Sequence, residues 1–565
     1  MRKFLFLFLS LTLGLCLNAQ NKAIFDYFEY DGKNYHETAN PETHYLNPIL
    51  SGFYPDPSIC RVGKDYYLAT SSFAYFPGVP IWHSTDLVSW EQIGHILNRP
   101  SQLNLNELRI SQGIYAPDIK YNPHNNLFYM ITTCVNCGGN FYVKTDDPKK
   151  DEWSDPVWTP AVGGIDPGLF FDEDGKAYIV NNDAPDHEPE YEGHRAVWIR
   201  EFDWKNDCVV GEQKVIIDGG VDKSKRPIWI EAPHIYKING KYYLMCAEGG
   251  TSLEHSEVVF VSDAPTGPYA PCKTNPILTQ RDLPDDREYP ITCTGHADLV
   301  QTEKGDWVAV FLGVRPYSGE HANTGRETFL LPVTWQDEQP VILPQGKEVP
   351  YTVELSSEQI NLHRKNKEKS APFCGSMNLW DDKGLFDNAF FILTPQTDFY
   401  QINSEGKLEM TPSATTLKEK KTPSFIAQRI TGWTFKAETA VEFTPGSAND
   451  FAGIVCFQNY DYFVQFGKTL DETGNPILLL EVFVNGVLNE KASCLIPENR
   501  INEKVYLRVE AVTPTEYVFG YSFKNDNNSW TEIGKPVDAR ILSTKTAGGF
   551  TGAVVGIYAT SAPGK

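Results

Sequence analysis

From about residue 48 to 344, apolar and polar positions alternate in short runs broken by Gly, Asp, Asn and Pro, and no long stretch carries helical periodicity. One unit recurs within this region. Gly63-Lys64-Asp65-Tyr66-Tyr67-Leu68, Asn126-Leu127-Phe128-Tyr129-Met130, Gly175-Lys176-Ala177-Tyr178-Ile179, Gly240-Lys241-Tyr242-Tyr243-Leu244 and Gly305-Asp306-Trp307-Val308-Ala309 each read as a tight polar turn followed by an aromatic-aliphatic strand. Nine or ten residues before each strand stands a polar residue beside a Pro or a small residue: Asp56, Asp118, Asp166, Glu231 and His296. Five units of about 48–65 residues predict a five-bladed β-propeller, with four-stranded blades around a central channel. Alternation lapses over 345–372, where the charged run Leu362–Ser370 reads as a linker. It returns in segments such as Thr439–Phe443, Gly453–Phe457, Tyr462–Phe466, Ile477–Phe483 and Val505–Val509. Many short strands over about 190 residues predict a β-sandwich. The expected fold is therefore all-β: a propeller over 20–344, a linker over 345–372, and a jelly-roll-like β-sandwich domain over 373–565.

The propeller reading turns a linear repeat into chemistry. The innermost strand of each blade lines the channel, so the five polar residues are expected to converge near the axis, four acids and one histidine at one end of a cavity. Inverting hydrolysis of a glycosidic bond needs one carboxylic acid to protonate the leaving oxygen and one carboxylate about 6.5–9.5 Å away to activate water. Opposite walls of a narrow channel offer such a gap. A third carboxylate near the acid raises its pKa by like-charge repulsion and keeps it protonated near neutrality.

Charge narrows the choice of partner. Fifty Lys and Arg against 73 Asp and Glu leave the 565-residue chain at −23, which excludes nucleic acid and anionic membrane as partners. Met1-Arg2-Lys3, the apolar stretch Phe4–Leu17 and the small residue Ala19 read as a signal peptide over 1–19. That stretch is shorter than the roughly 20 residues that span a bilayer, so a protein secreted across the inner membrane to the periplasm, without membrane insertion, is expected. The cysteines lack zinc-site spacing; Cys134-Val135-Asn136-Cys137 is the one close pair, and buried thiols with one loop disulfide are expected.

At Tyr54-Pro55-Asp56-Pro57-Ser58, Ser71-Ser72-Phe73, Ile165-Asp166-Pro167-Gly168, Glu231-Ala232-Pro233-His234, Gly295-His296-Ala297-Asp298 and Gly325-Arg326-Glu327-Thr328 the chain resembles glycoside hydrolase family 43. These are five-bladed propeller enzymes acting on arabinose- and xylose-containing glycans, and many carry a C-terminal β-sandwich. The resemblance implies Asp56 as general base, Glu231 as general acid, and Asp166 as the carboxylate that tunes and orients Glu231. It implies Arg326 as a substrate-binding residue, the alternative being a salt bridge with Glu327 or with an acid on the rim. Phe73 and Tyr115 become walls behind the terminal sugar, Tyr115 standing where many relatives carry Trp. His296 is placed near the axis, as a satisfied core histidine or beside an ion. Asp118 reads as structural, binding a backbone amide or a sugar hydroxyl. No cofactor is required, with a structural calcium near the propeller axis as the one metal the resemblance allows; the acidic stretch 183–190 reads as a solvated insertion.

The function expected on these grounds is an exo-acting, inverting glycosidase. It releases a non-reducing-terminal pentose, α-L-arabinofuranose first, from oligosaccharides or polysaccharides such as arabinoxylan, arabinan or xyloglucan fragments. The alternatives are a β-D-xylosidase, a bifunctional enzyme and a non-catalytic glycan-binding propeller. A loop of the sandwich near Asn449–Tyr462 is the candidate to close the pocket.

Overall fold

Short strands with polar turns build five antiparallel blades, three of four strands and two of five, in the computed structural model, which describes residues 22–33, 40–284, 286–366, 375–395, 398–526 and 529–561. The signal peptide expected over 1–19 lies outside the described residues. The innermost strands are Ser58–Val62, Asp118–Asn122, Ile165–Phe171, Glu231–Ile238 and Thr292–Gln301. Each pairs with the aromatic-aliphatic strand that the repeat marks, as in Ile59 opposite Leu68 and Ile235 opposite Leu244. The ring closes where the chain entering blade 1 runs beside the third strand of blade 5. There Leu50 bridges Thr328, and the Asn47 side chain donates to the Leu330 carbonyl and accepts from the Leu330 N–H, both at 2.9 Å.

The rest of the chain forms a sandwich of an 8-stranded and a 6-stranded sheet. Two boundaries differ from expectation. Ala23–Lys33 was expected to open the propeller domain, but it is a strand of the 8-stranded sheet, paired with Thr434–Glu442 on one side and with Leu408–Met410 and Ser376–Asn378 on the other. Its alternating apolar residues Phe25, Phe28 and Tyr30 are buried there, and alternation by itself does not tell one sheet from another. The expected linker is also ordered in part. Thr352–Glu354 pairs with His44–Leu46, and Ser357–Asn366 is a helix.

A single hydrophobic cluster runs through both domains, from Phe53, Tyr75 and Ile114 to Phe390, Ile426 and Tyr558. Arg429 from the sandwich is buried at the junction. It donates to the Phe53 carbonyl at 2.8 Å and lies over the rings of Phe53, Tyr54 and Phe390 at 4.2–4.9 Å. A cation desolvated against aromatic faces and given a carbonyl acceptor makes this junction directional as well as apolar. The two domains thus pack as one scaffold around the mouth of the propeller. Cys134 and Cys137 are disulfide-bonded, and Cys60, Cys246, Cys272 and Cys456 are buried thiols. No helix among the described residues is long and apolar enough to cross a membrane.

Candidate active site

The innermost strands do not begin as plain extended chain. Asp56, Asp166, Ala232 and His296 have φ of 51–56°, the left-handed region that costs a residue with a side chain about 1–3 kcal/mol. Register shifts interrupt the ladder between Ile165 and Gly168, between Glu231 and His234, and between Gly295 and Asp298. Such a bulge re-aims the side chain at its start, here toward the channel mouth. It also requires close approach between blades, since a Cβ on Gly168 would stand 2.4 Å from the Pro233 carbonyl oxygen.

The left-handed turn at Asp56 and the bulges of blades 3, 4 and 5 bring Asp56, Asp166, Glu231 and His296 to the floor of a cavity of about 420 Å³, with Arg326 from the third strand of blade 5 beside them. Asp118 is absent from this floor, against the expectation that all five repeat positions meet there. Its strand starts without a left-handed residue or a bulge, and its Oδ2 accepts the Leu169 N–H at 2.7 Å, deeper in the channel.

The surroundings of the three floor carboxyls push their pKa values in different directions. Burial alone would raise Asp56, but the Arg326 guanidinium, donating through Nη1 at 2.8 Å, outweighs it, with the Ser71 hydroxyl, donating at 2.6 Å, adding to the effect; His296 Nδ1 stands 3.6 Å away. The Asp56 carboxyl lies below the usual carboxylate range. Burial and the Asp56 charge push Asp166 up to about 7. Burial and the charges of Asp166 and Asp56 drive Glu231 well above its ordinary value. One guanidinium facing three buried carboxyls cannot neutralise them all, and Asp56 takes it. Arg326 is not paired with Glu327; that carboxylate is gripped by Arg315, whose Nε and Nη2 donate at 2.6 and 2.7 Å.

Aromatic rings form the cavity wall. Phe73 and Tyr115 pack edge to face at 5.6 Å, and the Tyr115 hydroxyl donates to the Ser111 carbonyl at 2.9 Å, so the ring offers its apolar body to the cavity. Phe550 completes the wall from the sandwich. It stacks near Phe73 at 6.4 Å, meets Tyr115 at 6.0 Å, and with Phe73 brackets the Arg326 guanidinium at 5.6 and 5.8 Å. Its loop, 547–553, is pinned by the Phe550 N–H to Ser111 Oγ at 2.9 Å and by backbone contact so close that a Cβ on Gly552 would meet the Thr324 carbonyl at 2.6 Å. The segment expected as the closing loop, Asn449–Tyr462, is mostly the strand Asp450–Asn459 and does not line the cavity; it supports the Phe550 loop from behind, Gln458 and Asn459 donating to the carbonyls of Thr551 and Ala547. Ile165, Ile228, Trp229 and the backbone turn 249–252 make the remaining rim.

Phe550, Trp229 and Ile228 had no place in the sequence reading. For Phe550 a signal existed in Gly548-Gly549-Phe550-Thr551-Gly552, an aromatic flanked by glycines in an otherwise strand-rich domain.

A calcium ion near the axis does not fit the residues present. His296 stands beside Asp56, whose Oδ1 already accepts from Arg326. Among the described residues one group has the spacing to hold a metal, Asp118, His234 and Asp298, and the Lys120 ammonium lies inside it, at 3.1 Å from Asp118 and 2.9 Å from Asp298. The acidic stretch 183–190 is an exposed turn of blade 3.

A propeller whose pocket gathers three carboxyls, one lowered by an arginine and another raised by burial and like charge, defines a hydrolase of the acid–base type. The comparisons give the particular family. Residues 45–340 match the family model described as glycosyl hydrolases family 43, and 387–565 match that of the beta xylosidase C-terminal Concanavalin A-like domain. The chain is 37% identical to a xylosidase/arabinosidase of Butyrivibrio fibrisolvens, covering 91% of this chain and 95% of that one. It is 34% identical to the non-reducing end alpha-L-arabinofuranosidase BoGH43B of Bacteroides ovatus, over 91% of each. The crystal structure of a GH43_12 protein retrieved from capybara gut metagenome superposes with a TM-score of 0.87 at 41% identity, covering 96% of this chain and 100% of that one. The chain belongs to glycoside hydrolase family 43 and is a glycosidase.

Proposed function

We propose that this glycosidase is exo-acting and inverting, and that it removes a single terminal pentose, α-L-arabinofuranose in the first place, from arabinoxylan- or xylan-type glycans. The observation that carries the reading is the opposite treatment of Asp56 and Glu231 within one small, walled cavity. Asp56, kept ionised by Arg326, takes a proton from water attacking the anomeric carbon. Glu231, kept protonated by burial and by its acidic neighbours, gives its proton to the departing glycosidic oxygen. Asp166 acts on Glu231 through charge and holds it in the acid form. A propeller that only bound glycan would have no use for carboxyls kept in different protonation states.

Exo action rests on the cavity's size and closure. About 420 Å³ lies near the lower end of the ~300–1,000 Å³ typical of small-ligand sites, and Phe550 caps the side along which a chain would otherwise run. Three of its walls are rings, suited to the C–H faces of a sugar. The relatives support a pentose, since one is a xylosidase/arabinosidase and another an arabinofuranosidase. The β-D-xylosidase reading stays as the second one because the matched C-terminal model carries that description.

The test is a panel of nitrophenyl pentosides with arabinoxylan, arabinan and xyloglucan fragments, products being followed by proton NMR. Release of β-L-arabinose as the first-formed anomer from an α-L-arabinofuranoside is expected. Retention of configuration, or cleavage within the chain, would overturn the mechanism or the exo mode. Phe550→Ala is expected to keep the fold and raise KM for the terminal sugar about 10-fold, equal to about 1.4 kcal/mol, with a smaller change in kcat; unchanged KM would remove the sandwich from the pocket. The leader-like residues 1–19 support action in the periplasm, and an intact Met1 on the mature protein would end that part of the proposal.

A further inference from the structure

Below the catalytic floor the channel holds a second buried network that the reaction does not use. Asp298 Oδ2 accepts from Ser58 Oγ at 2.8 Å, the Ile59 N–H at 2.9 Å and Lys120 Nζ at 2.9 Å, while its Oδ1 accepts from Tyr236 Oη at 2.5 Å and Lys120 Nζ at 3.1 Å. Asp118 Oδ1 accepts from Ser58 Oγ at 3.0 Å, with Lys120 Nζ at 3.1 Å and His234 Nδ1 at 3.4 Å, and its Oδ2 takes the Leu169 N–H. The Tyr236 oxygen in turn accepts the Leu299 N–H at 2.9 Å. Every blade contributes: Ser58 from the first, Asp118 and Lys120 from the second, Leu169 from the third, His234 and Tyr236 from the fourth, Asp298 from the fifth. Lys120 reaches this point from the opposite mouth of the channel, where it lines a separate cavity with Ile59, Tyr236 and Leu299.

We propose that the Lys120 ammonium is the resident cation of the propeller channel, occupying between Asp118 and Asp298 the place that a divalent metal ion would otherwise take. Two carboxylates and one ammonium leave one negative charge, spread over oxygens that already accept from four other donor groups. A dication would have to displace the ammonium or sit against it, and strip donors from the carboxylates. The two charge types answer the same need, since buried carboxylates facing one another require a cation. Burial would lower the Lys120 pKa, but the two carboxylates outweigh it and raise it, so the group stays charged. Lys120 is a positioning residue. His234 lies three residues beyond Glu231 and Leu169 three beyond Asp166, so the network fixes the register of the strands that present the two acids.

The experiment compares the wild type with Lys120→Met and Lys120→Arg after passage over chelating resin. The wild type is expected to carry no stoichiometric metal by mass-spectrometric metal analysis, and to show the same Tm and the same kcat/KM with chelator or with added calcium or manganese. Lys120→Met is expected to melt lower, and to gain several degrees of Tm on addition of calcium or manganese at about 100 times its Kd, as binding to the native state alone requires. Lys120→Arg, which keeps the charge, is expected to show no such gain. Stoichiometric calcium in the wild type, or a wild-type Tm that falls on chelation and returns with calcium, would overturn the proposal. So would a folded Lys120→Met protein that ignores both metals. Should Lys120→Met fail to fold, the wild-type metal content and Tm decide by themselves.

Discussion

Glu231→Gln lowers kcat/KM on oligosaccharide substrates by about 10²–10⁴-fold, the usual worth of a positioned general acid, and lowers it far less on nitrophenyl glycosides. The difference follows from the leaving group. A sugar alkoxide is a poor leaving group without a proton, and Gln has none to give, whereas nitrophenolate departs unaided. Asp56→Asn behaves differently. It removes the group that activates water, a step both substrate types need, so both lose about the same large factor. Neither change touches the hydrophobic core; Asp56→Asn leaves Arg326 without its buried carboxylate partner and is expected to melt lower, so retained cooperative unfolding well above the assay temperature separates lost chemistry from lost fold. If either variant kept activity within twofold of wild type on oligosaccharides, the assignment of acid and base would be wrong.

The same environments that divide these roles are costly to the fold. Four non-glycine residues in the left-handed region, at the start of four innermost strands, and three carboxyls around one guanidinium are arrangements that local preference disfavours. They persist because the rest of the channel over-determines them. Beneath the floor a buried polar network joins all five blades, and behind the wall the sandwich packs into the propeller through Arg429 and the glycine contacts at 552. Strain at a site surrounded by rigid packing preorganises charge for the transition state.

The repeat made much of this legible in the chain. A polar residue nine or ten positions before a turn-and-strand signature falls at the start of an innermost strand, because the antiparallel hairpin fixes that distance. Asp56, Asp166, Glu231 and His296 were therefore readable as neighbours despite separations of up to 240 residues. Asp118 shows where spacing stops being informative. It has the same offset, yet without a left-handed residue at the start of its strand its carboxylate points into the lower network. The glycines around Phe550 mark an unusual loop but not what it touches, since its contact with Arg326 depends on how two domains dock, which no local pattern encodes. Ala23–Lys33 alternates like any half-buried strand, and only its partner strands say which sheet owns it. The helix Ser357–Asn366 hides in a charged run because it lacks a broad apolar face, with only Ile360 and Leu362 as aliphatic anchors.

Arg326→Ala carries the second large effect, and its sign follows from the Asp56 environment. The guanidinium is the main influence holding Asp56 ionised against complete burial. Without it, a buried carboxylate is left beside Asp166 and Glu231 with only the Ser71 hydroxyl and a neutral His296, whose own pKa burial lowers to about 3. Removing one partner of a buried ion pair costs about 3–5 kcal/mol, and here the folded protein escapes part of that cost by protonating Asp56. The base is then lost at low pH. The acid limb of the kcat/KM profile is expected to move upward by at least one pH unit, while kcat/KM at its optimum falls about 10²-fold or more, since the arginine also faces the sugar site. Arg326→Lys tests the separation of these two contributions. It restores a positive charge, so the acid limb should return toward the wild-type position, but a point charge cannot reproduce the planar fork bracketed by Phe73 and Phe550, so activity at the optimum stays low. Steady-state rates on an activated pentoside between pH 3 and 9 would measure both. An acid limb that does not move in Arg326→Ala would show that the ionised state of Asp56 is sustained by something other than this guanidinium.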